Sequence, residues 1–505
     1  MVFPTIEFAA FFVVACTASW LLMPHPRLWK PFILAASYLF YGYADARFCL
    51  LLAASTLLNF AAGALLVRRH DRRILIAAIA ANLGLLGWFK YFGFFVLSVD
   101  NLLERVGLGA PLPLLQVALP VGISFFTFQA LSYVLDIWRG TIRPVSLIDF
   151  AVYQAFFPHL VAGPIVRASE FLPQLQRPRN PRTVPATRAF FLIAGGLVKK
   201  VVIADVIANR IVDPVFNTPG QHSGAEILVA VYGYAVQIYC DFSAYSEMAI
   251  GLALLLGFRF PDNFNRPYAA TSLQDFWRRW HMTLSRWLRD YLYIPLGGSR
   301  FGRRRTYRAL MLTMLLGGLW HGAAWTFVVW GAIHGAGLVA QRWWADRWRP
   351  EPDGAPMAAG GSPSSGTFPV AVGGGGGVGT LLTAPRVTGT AWRTPAPLRV
   401  LVTFHLVCLA WIFFRSPDLG TAWQMIGRLI TWAPGPAPLV TPTVLIAIVV
   451  GLATQFVPTG FWPAVQARFQ RLTYGRQAVA FGAFLVLIYA AGGNSGVAPF
   501  IYFRF

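Results

Sequence analysis

His321 stands next to last in the hexapeptide Gly317-Gly-Leu-Trp-His-Gly322, inside an apolar run from Ala309 to about Ala340. An imidazole exchanges its proton near neutral pH, so it can act as a base, an acid or a ligand. Within an apolar run of this length an ionisable ring needs a partner or a task, which makes it a functional candidate. The flanking glycines permit close backbone approach and a break in the helix. The competing reading is a hydrogen-bonded core histidine, and the segment alone does not separate the two. A second candidate is His281. Around it Leu273, Phe276, Trp277, Trp280, Leu284, Trp287, Leu288 and Tyr291 recur at three-four spacing, while Arg278, Arg279, Arg286 and Arg289 fall largely off that stripe. Ser272 with Asp275 resembles a capping box. The pattern predicts an amphipathic helix over 272–291 at the cytoplasmic interface, with His281 on its apolar side. A tryptophan-rich anchor explains such a helix but not a histidine on that face. His334 lies thirteen residues beyond His321, a poor match to one helical face at about 100° per residue, and reads as structural.

The elements that must position these rings are membrane helices. The 505 residues are 56% hydrophobic and only 12% charged, against about 25% charged in a soluble domain. Long apolar stretches recur, and lipid offers no partner for unpaired backbone, so helices are expected throughout. The net charge of +22 comes from basic residues clustered between apolar runs. That is the positive-inside pattern, and it suits anionic lipid or a phosphate-bearing donor, not nucleic acid. Cys16, Cys49, Cys240 and Cys408 have no paired spacing and read as small buried hydrophobes, with no disulfide or metal site expected. The first apolar run lacks a basic n-region and a small-residue cleavage site, which predicts a retained span.

Apolar runs fall at about 6–23, 31–45, 48–67, 74–98 and 115–138. Alternate loops carry Arg27 and Lys30, then Arg68, Arg69, Arg72 and Arg73, then Arg139 and Arg143. The opposite loops are acidic, so the N-terminus is expected on the outer face. The run 147–166 is basic on both flanks and contains Pro158, Gly163 and Pro164, which predicts a re-entrant element. Crossings follow over 187–208, bent or wetted at Lys199 and Lys200, and over 224–257. The run carrying His321 begins and ends on basic flanks, Arg300–Arg308 and Arg342–Arg349. It reads as a second re-entrant hairpin broken near Gly317–Gly322. Residues 351–396 are rich in Gly, Pro and Ser and read as a disordered cytoplasmic loop. Spans at about 399–415, 440–457 and 478–493 bring the full crossings to ten, with both termini outside.

Several motifs in order carry a family resemblance: Pro120–Phe128, Phe157–Ile165, Tyr239-Cys-Asp-Phe-Ser-Ala-Tyr-Ser-Glu-Met-Ala-Ile-Gly251, Gly257–Asn265, Asp275-Phe-Trp-Arg-Arg-Trp-His281, Trp287–Gly298 and Leu319-Trp-His-Gly322. They are similar to the membrane-bound O-acyltransferase family, in its branch of bacterial alginate O-acetylation. The likeness is dense over about 1–345 and looser over 399–505. It implies an acetyl-CoA donor on the cytoplasmic side, no bound cofactor, and acetyl passed across the inner membrane to an exopolysaccharide with the help of periplasmic acetyltransferase proteins. It places the family's catalytic histidine at His321 and its second, more variable polar position at His281. Acyl transfer from a thioester to a hydroxyl needs a base for the hydroxyl proton, and imidazole suits that task.

Around these, Arg300, Arg303, Arg304 and Arg305 are candidates for the CoA phosphates, although topology-setting charge explains each of them singly. Asp241, Ser243, Tyr245 and Glu247 either line the transfer path or lock helices together. Tyr502, in the tail Pro499–Phe505, resembles a tyrosine implicated as an acyl carrier in related export systems, and an aromatic-belt anchor is the competing reading. The expected fold is all-α: a polytopic bundle of about 10–12 spans with re-entrant helices around a central tunnel, forming one membrane domain over 1–505. Other acceptors (peptidoglycan, cellulose, teichoic acid), a transporter and a purely structural subunit are the alternatives.

Overall fold

A computed structural model describes residues 1, 3–108, 119–177, 179–348, 395–492 and 500. Every regular element among them is helical. Among the described residues, four helices are by themselves long and apolar enough to cross a membrane: Arg47–Arg69, Arg72–Arg105, Gly224–Leu255 and Ala396–Arg415. A fifth crossing results if the bent pair Pro442–Phe456 and Phe461–Gln470 counts as one span. Ile6–Leu22, Ile123–Trp138 and Gly475–Ile488 are apolar but shorter. The count of ten crossings therefore goes beyond what length and composition support helix by helix. The predicted disordered loop lies outside the described residues, apart from its last two positions.

Gly224–Leu255 forms the core of the bundle. Of its most apolar window 83% is buried, against 22% for Arg72–Arg105. It packs along Ala186–Leu197, Ala396–Arg415, Leu419–Ile430 and Pro442–Ala453. Glycine sets one of these approaches: a Cβ on Gly251 would press on the Ala189 carbonyl, and one on Gly196 on the Ala244 carbonyl. Such small-residue seams replace the hydrophobic drive that lipid removes. The N-terminal helices instead present Val14, Leu21 and Leu50 on the outside, as lipid-facing helices do.

The run over 186–217 is helical but wound as π-helix at Val198–Ala204 and Ala208–Val212. Lys199 and Lys200 lie in the first π segment. Lys199 pairs with Glu247 at 2.5 Å, and Lys200 with Asp241 at 2.8 Å and Asp205 at 2.9 Å. The expected bend at these lysines thus takes the form of a widened turn that faces them to acids on the neighbouring helix. The run 147–166 is broken as its prolines require, into Leu147–Ala155, Phe157–Leu160 and an extended stretch, buried within the protein from Asp149 onward. Cys240 and Cys408 are buried, Cys16 and Cys49 partly so, and all four are free thiols.

Two predicted elements meet different fates. The run carrying His321 is indeed a hairpin, Arg303–His321 and Trp325–Arg347, turning at 322–324. Gly318 and Gly331 let its arms touch backbone to backbone, since a Cβ on either would strike the carbonyl of Phe327 or Met314. The single amphipathic helix over 272–291 is overturned. It is two short helices, Leu273–Trp277 and Met282–Leu288, followed by a π turn, Arg289–Tyr293. Ser272 caps the first by accepting from Asp275 N at 3.1 Å. The break falls on His281, in the left-handed region at φ 41°, ψ 54°. A side chain held there costs about 1–3 kcal/mol and persists only where its surroundings enforce it. The apolar stripe is not laid on an interface either. Trp280, Leu284 and Trp287 are buried by protein, with Trp287 stacked on Phe128 at 3.7 Å and bonded to the Phe128 carbonyl. Helical periodicity reports which residues are apolar together, but tertiary packing decides what covers them.

Candidate functional site

His321 is the last residue of the helix Arg303–His321 and is 3% exposed. Aromatic rings surround it: Trp320 at 5.0 Å between centroids, Trp330 at 5.1 Å and Phe414 at 5.2 Å, all edge to face. Gly322 leaves the helix extended, and its ring contact with Phe327 leaves no room for a Cβ. The last three carbonyls of the helix are taken by side chains of a distant span. Tyr91 donates to the Leu319 carbonyl at 2.8 Å, and Lys90 Nζ donates to those of Trp320 at 2.6 Å and His321 at 3.0 Å. A cation on terminal carbonyls is favoured by their exposed lone pairs and by the helix dipole. Lys90 and Tyr91 reach there because Arg72–Arg105 winds as π-helix over Gly87–Tyr91. π segments commonly mark functional positions. Sequence reading passed over Lys90, although a lysine inside an apolar span of spanning length was itself a signal.

His281 is fully buried. The left-handed turn presents its ring to Phe242 at 4.6 Å and to Trp320 at 6.3 Å, so it and His321 flank the same tryptophan. Its Nδ1 lies 3.1 Å from Asn263 Oδ1. His334 joins the cluster as well: Trp277 Nε1 donates to its Nδ1 at 3.3 Å, and Trp330 stands between it and His321. Its bond to Trp277 accords with a structural histidine, but its place one ring from His321 comes from the folding back of the hairpin, which helical spacing along one helix does not convey.

Two cavities flank this cluster. At the hairpin tip a small one of about 110 Å³ is lined by Lys90, Gly122, Ser124, Val161, Trp320 and His321. Gly122 has φ 79°, and a Cβ there would meet the Leu160 carbonyl, so glycine keeps this wall thin. Along the basic end of the hairpin runs a cleft of about 1350 Å³, with Trp277 lining it and Arg278, Arg286, Arg289, Arg342 and Arg399 around it. The predicted donor arginines sit elsewhere. Arg300, Arg303, Arg304 and Arg305 are exposed beyond the cleft lining, with Arg303 bonded to the Asp346 carbonyl and Arg305 over the Phe301 ring.

Asp241 and Glu247 face the buried lysines, and Ser243 accepts from Lys199 at 3.4 Å. These contacts lock helices together. Tyr245 is stacked between Phe3 and Phe500, each 4.4 Å away, and Phe500 is itself buried and lies 5.9 Å from Phe242. Tyr502 lies outside the described residues. No cluster of three metal-ligating side chains occurs among the described residues.

Apolar spanning helices, buried ion pairs and buried histidines close to a basic cleft and a small cavity define a multi-pass membrane protein with a polar interior. Residues 123–358 match the membrane-bound O-acyltransferase family. The chain is 40% identical to the probable alginate O-acetylase of Pseudomonas aeruginosa, over 79% of this chain and 69% of that protein. It is 38% identical to the probable alginate O-acetylase of Azotobacter vinelandii, over 86% and 78%. It is 34% identical to the peptidoglycan O-acetyltransferase of Helicobacter pylori, over 85% and 78%. The chain belongs to the membrane-bound O-acyltransferase family and is an acyltransferase.

Proposed function

We propose that this protein takes acetyl from acetyl-CoA on the cytoplasmic side of a bacterial inner membrane and passes it across for O-acetylation of an exopolysaccharide such as alginate. The observation that carries the reading is the placing of His321 at the closed tip of a hairpin whose other end is an arginine-lined cleft. The CoA phosphates lie among Arg278, Arg286, Arg289, Arg342 and Arg399, since guanidinium groups pair with phosphate through charge-assisted hydrogen bonds. The thioester reaches inward past Trp277, and the acceptor hydroxyl enters from the tip, where the smaller cavity meets His321. His321 takes the hydroxyl proton as the oxygen attacks the thioester carbonyl. The carbon–sulfur bond then breaks, and the CoA thiolate leaves with the proton returned by the imidazolium. His281, across Trp320 from His321, orients the reacting groups.

The whole chain works as one membrane unit, with the glycine-rich loop on the cytoplasmic side and both termini in the periplasm. The stacking of Phe3 and Phe500 on one tyrosine supports placing the two ends together. Tyr502 is two residues beyond Phe500, within about 7 Å of extended chain. It serves as the acyl relay, accepting acetyl inside and offering it to a periplasmic acetyltransferase partner. A second reading, transfer to peptidoglycan, is favoured by the likeness to the Helicobacter pylori enzyme.

The deciding experiment measures free CoA thiol released from acetyl-CoA by purified protein in detergent, with a periplasmic fraction as acceptor. Release by wild type that falls by about 10²–10⁴-fold in His321→Ala is expected for loss of a general base. Equal release from both would remove His321 from the chemistry, and feeding polymer or peptidoglycan fragments separately distinguishes the two acceptors.

A further inference from the structure

Asn263 lies in the loop after Gly224–Leu255 and is 1% exposed. Its side-chain oxygen receives three contacts: Thr283 Oγ1 at 2.8 Å, His281 Nδ1 at 3.1 Å and the Thr283 backbone N at 3.3 Å. Its amide nitrogen donates to Ser246 Oγ at 3.0 Å. These partners settle which way the amide faces. The backbone N–H of Thr283 can only donate, so the atom opposite it is the oxygen. The Thr283 hydroxyl accepts from Ile165 N at 2.9 Å, which leaves its own proton for the same oxygen. A flipped amide would set its NH₂ against two donors. With an acceptor opposite it, His281 Nδ1 must carry the proton. In the neutral ring Nε2 is then an unprotonated acceptor.

That nitrogen is fully buried and has no hydrogen-bond partner among the described residues. A buried polar atom left without a partner in a native protein calls for an explanation, and a bound substrate is one. Nδ1 and Nε2 project from different sides of the ring, so the contact with Asn263 turns Nε2 away from the loop, within the interior that His281 shares with Trp320. The left-handed backbone at His281 is held by the same neighbour, as Met282 N donates to the Asn263 carbonyl at 2.9 Å and closes the turn from the other side.

We infer that Asn263 is a positioning residue for acyl transfer: it holds His281 as the tautomer protonated on Nδ1, so that Nε2 accepts a hydrogen bond from the incoming acceptor hydroxyl and seats it before its proton passes to His321. The inference rests on the proposed role of His281 and adds the group that prepares it. An acceptor nitrogen already free of a proton seats the hydroxyl on entry without rearrangement, and His321 then takes the proton as the oxygen attacks. The opposite tautomer would present a second donor to the hydroxyl instead.

The test uses the full-length protein in detergent with acetyl-CoA and the periplasmic acceptor fraction. Asn263→Leu keeps the side-chain shape but removes the acceptor, and thiol release per folded protein is expected to fall about a hundredfold or more. Asn263→Asp restores an acceptor at the same place and is expected to recover release to within a few-fold of wild type. Selective ¹⁵N labelling of histidine, with His281→Gln to assign the signal, reads the tautomer directly. Wild type and Asn263→Asp should show a protonated Nδ1 and an unprotonated Nε2. A protonated Nε2 in neutral wild-type His281 would overturn the inference, as would wild-type release by Asn263→Leu beside an inactive His281→Ala. Full activity of His281→Ala would instead remove the role on which the inference is built, whatever tautomer the spectrum shows.

Discussion

Lys90→Met is the perturbation that separates positioning from stability most sharply. The ammonium donates to the carbonyls of Trp320 and His321 at 2.6 and 3.0 Å. A hydrogen bond to a charged group contributes about 1.5–3 kcal/mol, so two coupled bonds stabilise the helix end by at most about 3–6 kcal/mol. Against this stands the cost of keeping an ammonium away from water, which is several kcal/mol per ion. Methionine occupies a similar volume without that cost. The two effects nearly cancel, and the melting temperature in detergent should move by only a few degrees, since about 1 kcal/mol shifts a protein of 150–250 residues by about 2–4 °C and a longer chain by less. The site does not share that cancellation. Without Lys90 the residue carrying the imidazole ends a helix whose last carbonyls have lost two partners, and a displacement of about 1 Å costs about a hundredfold in rate. Thiol release from acetyl-CoA should therefore fall about 10–100-fold in kcat, with KM for acetyl-CoA little changed because the arginine cleft is untouched. Tyr91→Phe removes only the bond to the Leu319 carbonyl and should cost severalfold. Wild-type kcat in a folded Lys90→Met protein would refute the reasoning, and so would a large drop in melting temperature with unchanged activity per folded molecule.

Three further outcomes follow from other contacts. Arg278→Ala combined with Arg399→Ala should raise KM for acetyl-CoA about tenfold or more while leaving kcat close to wild type, whereas Arg300→Ala with Arg303→Ala should do neither; steady-state kinetics at fixed acceptor distinguishes them. Gly331→Ala places a Cβ against the Met314 carbonyl and should destabilise the hairpin by about 1–3 kcal/mol, read as a lowered melting temperature, with an unchanged melt counting against the close packing. Tyr502→Phe should abolish acetylation of the polymer in cells while the protein still accumulates in the membrane; untouched polymer acetylation would end the relay reading.

The buried ion pairs show why a polar residue in a membrane sequence carries an ambiguous message. Asp241 and Glu247 lie in a stretch that resembles a family signature, yet their partners are Lys200 and Lys199 on the adjoining helical run. Both lysines were visible in the sequence as charges within an apolar segment. Their pairing depends on the π turn that rotates them toward Gly224–Leu255, and a hydrophobicity pattern does not encode that rotation.

What the sequence determined by itself was local or additive. Apolar composition and basic loops required a membrane helix bundle, since lipid leaves unpaired backbone no alternative. Glycines before and after His321 called for a broken hairpin, and one formed, because a residue without a side chain acts on its own neighbourhood. The motifs around His281 and His321 pointed to the acyltransferase family without any knowledge of their separation. What only the tertiary structure decided was who meets whom across long stretches of chain. Lys90 finds carbonyls about 230 residues away, Asn263 fixes His281 through a loop, and Trp330 places His334 beside His321. The apolar stripe of 272–291 announced a continuous helix, but backbone contacts with the Asn263 loop break it at His281. The physical reason is common to the Lys90, Asn263 and 272–291 cases. Periodicity and composition act within a few turns of helix, whereas hydrogen bonds in a water-poor interior are strong enough to override them and are available only once distant segments have been packed together.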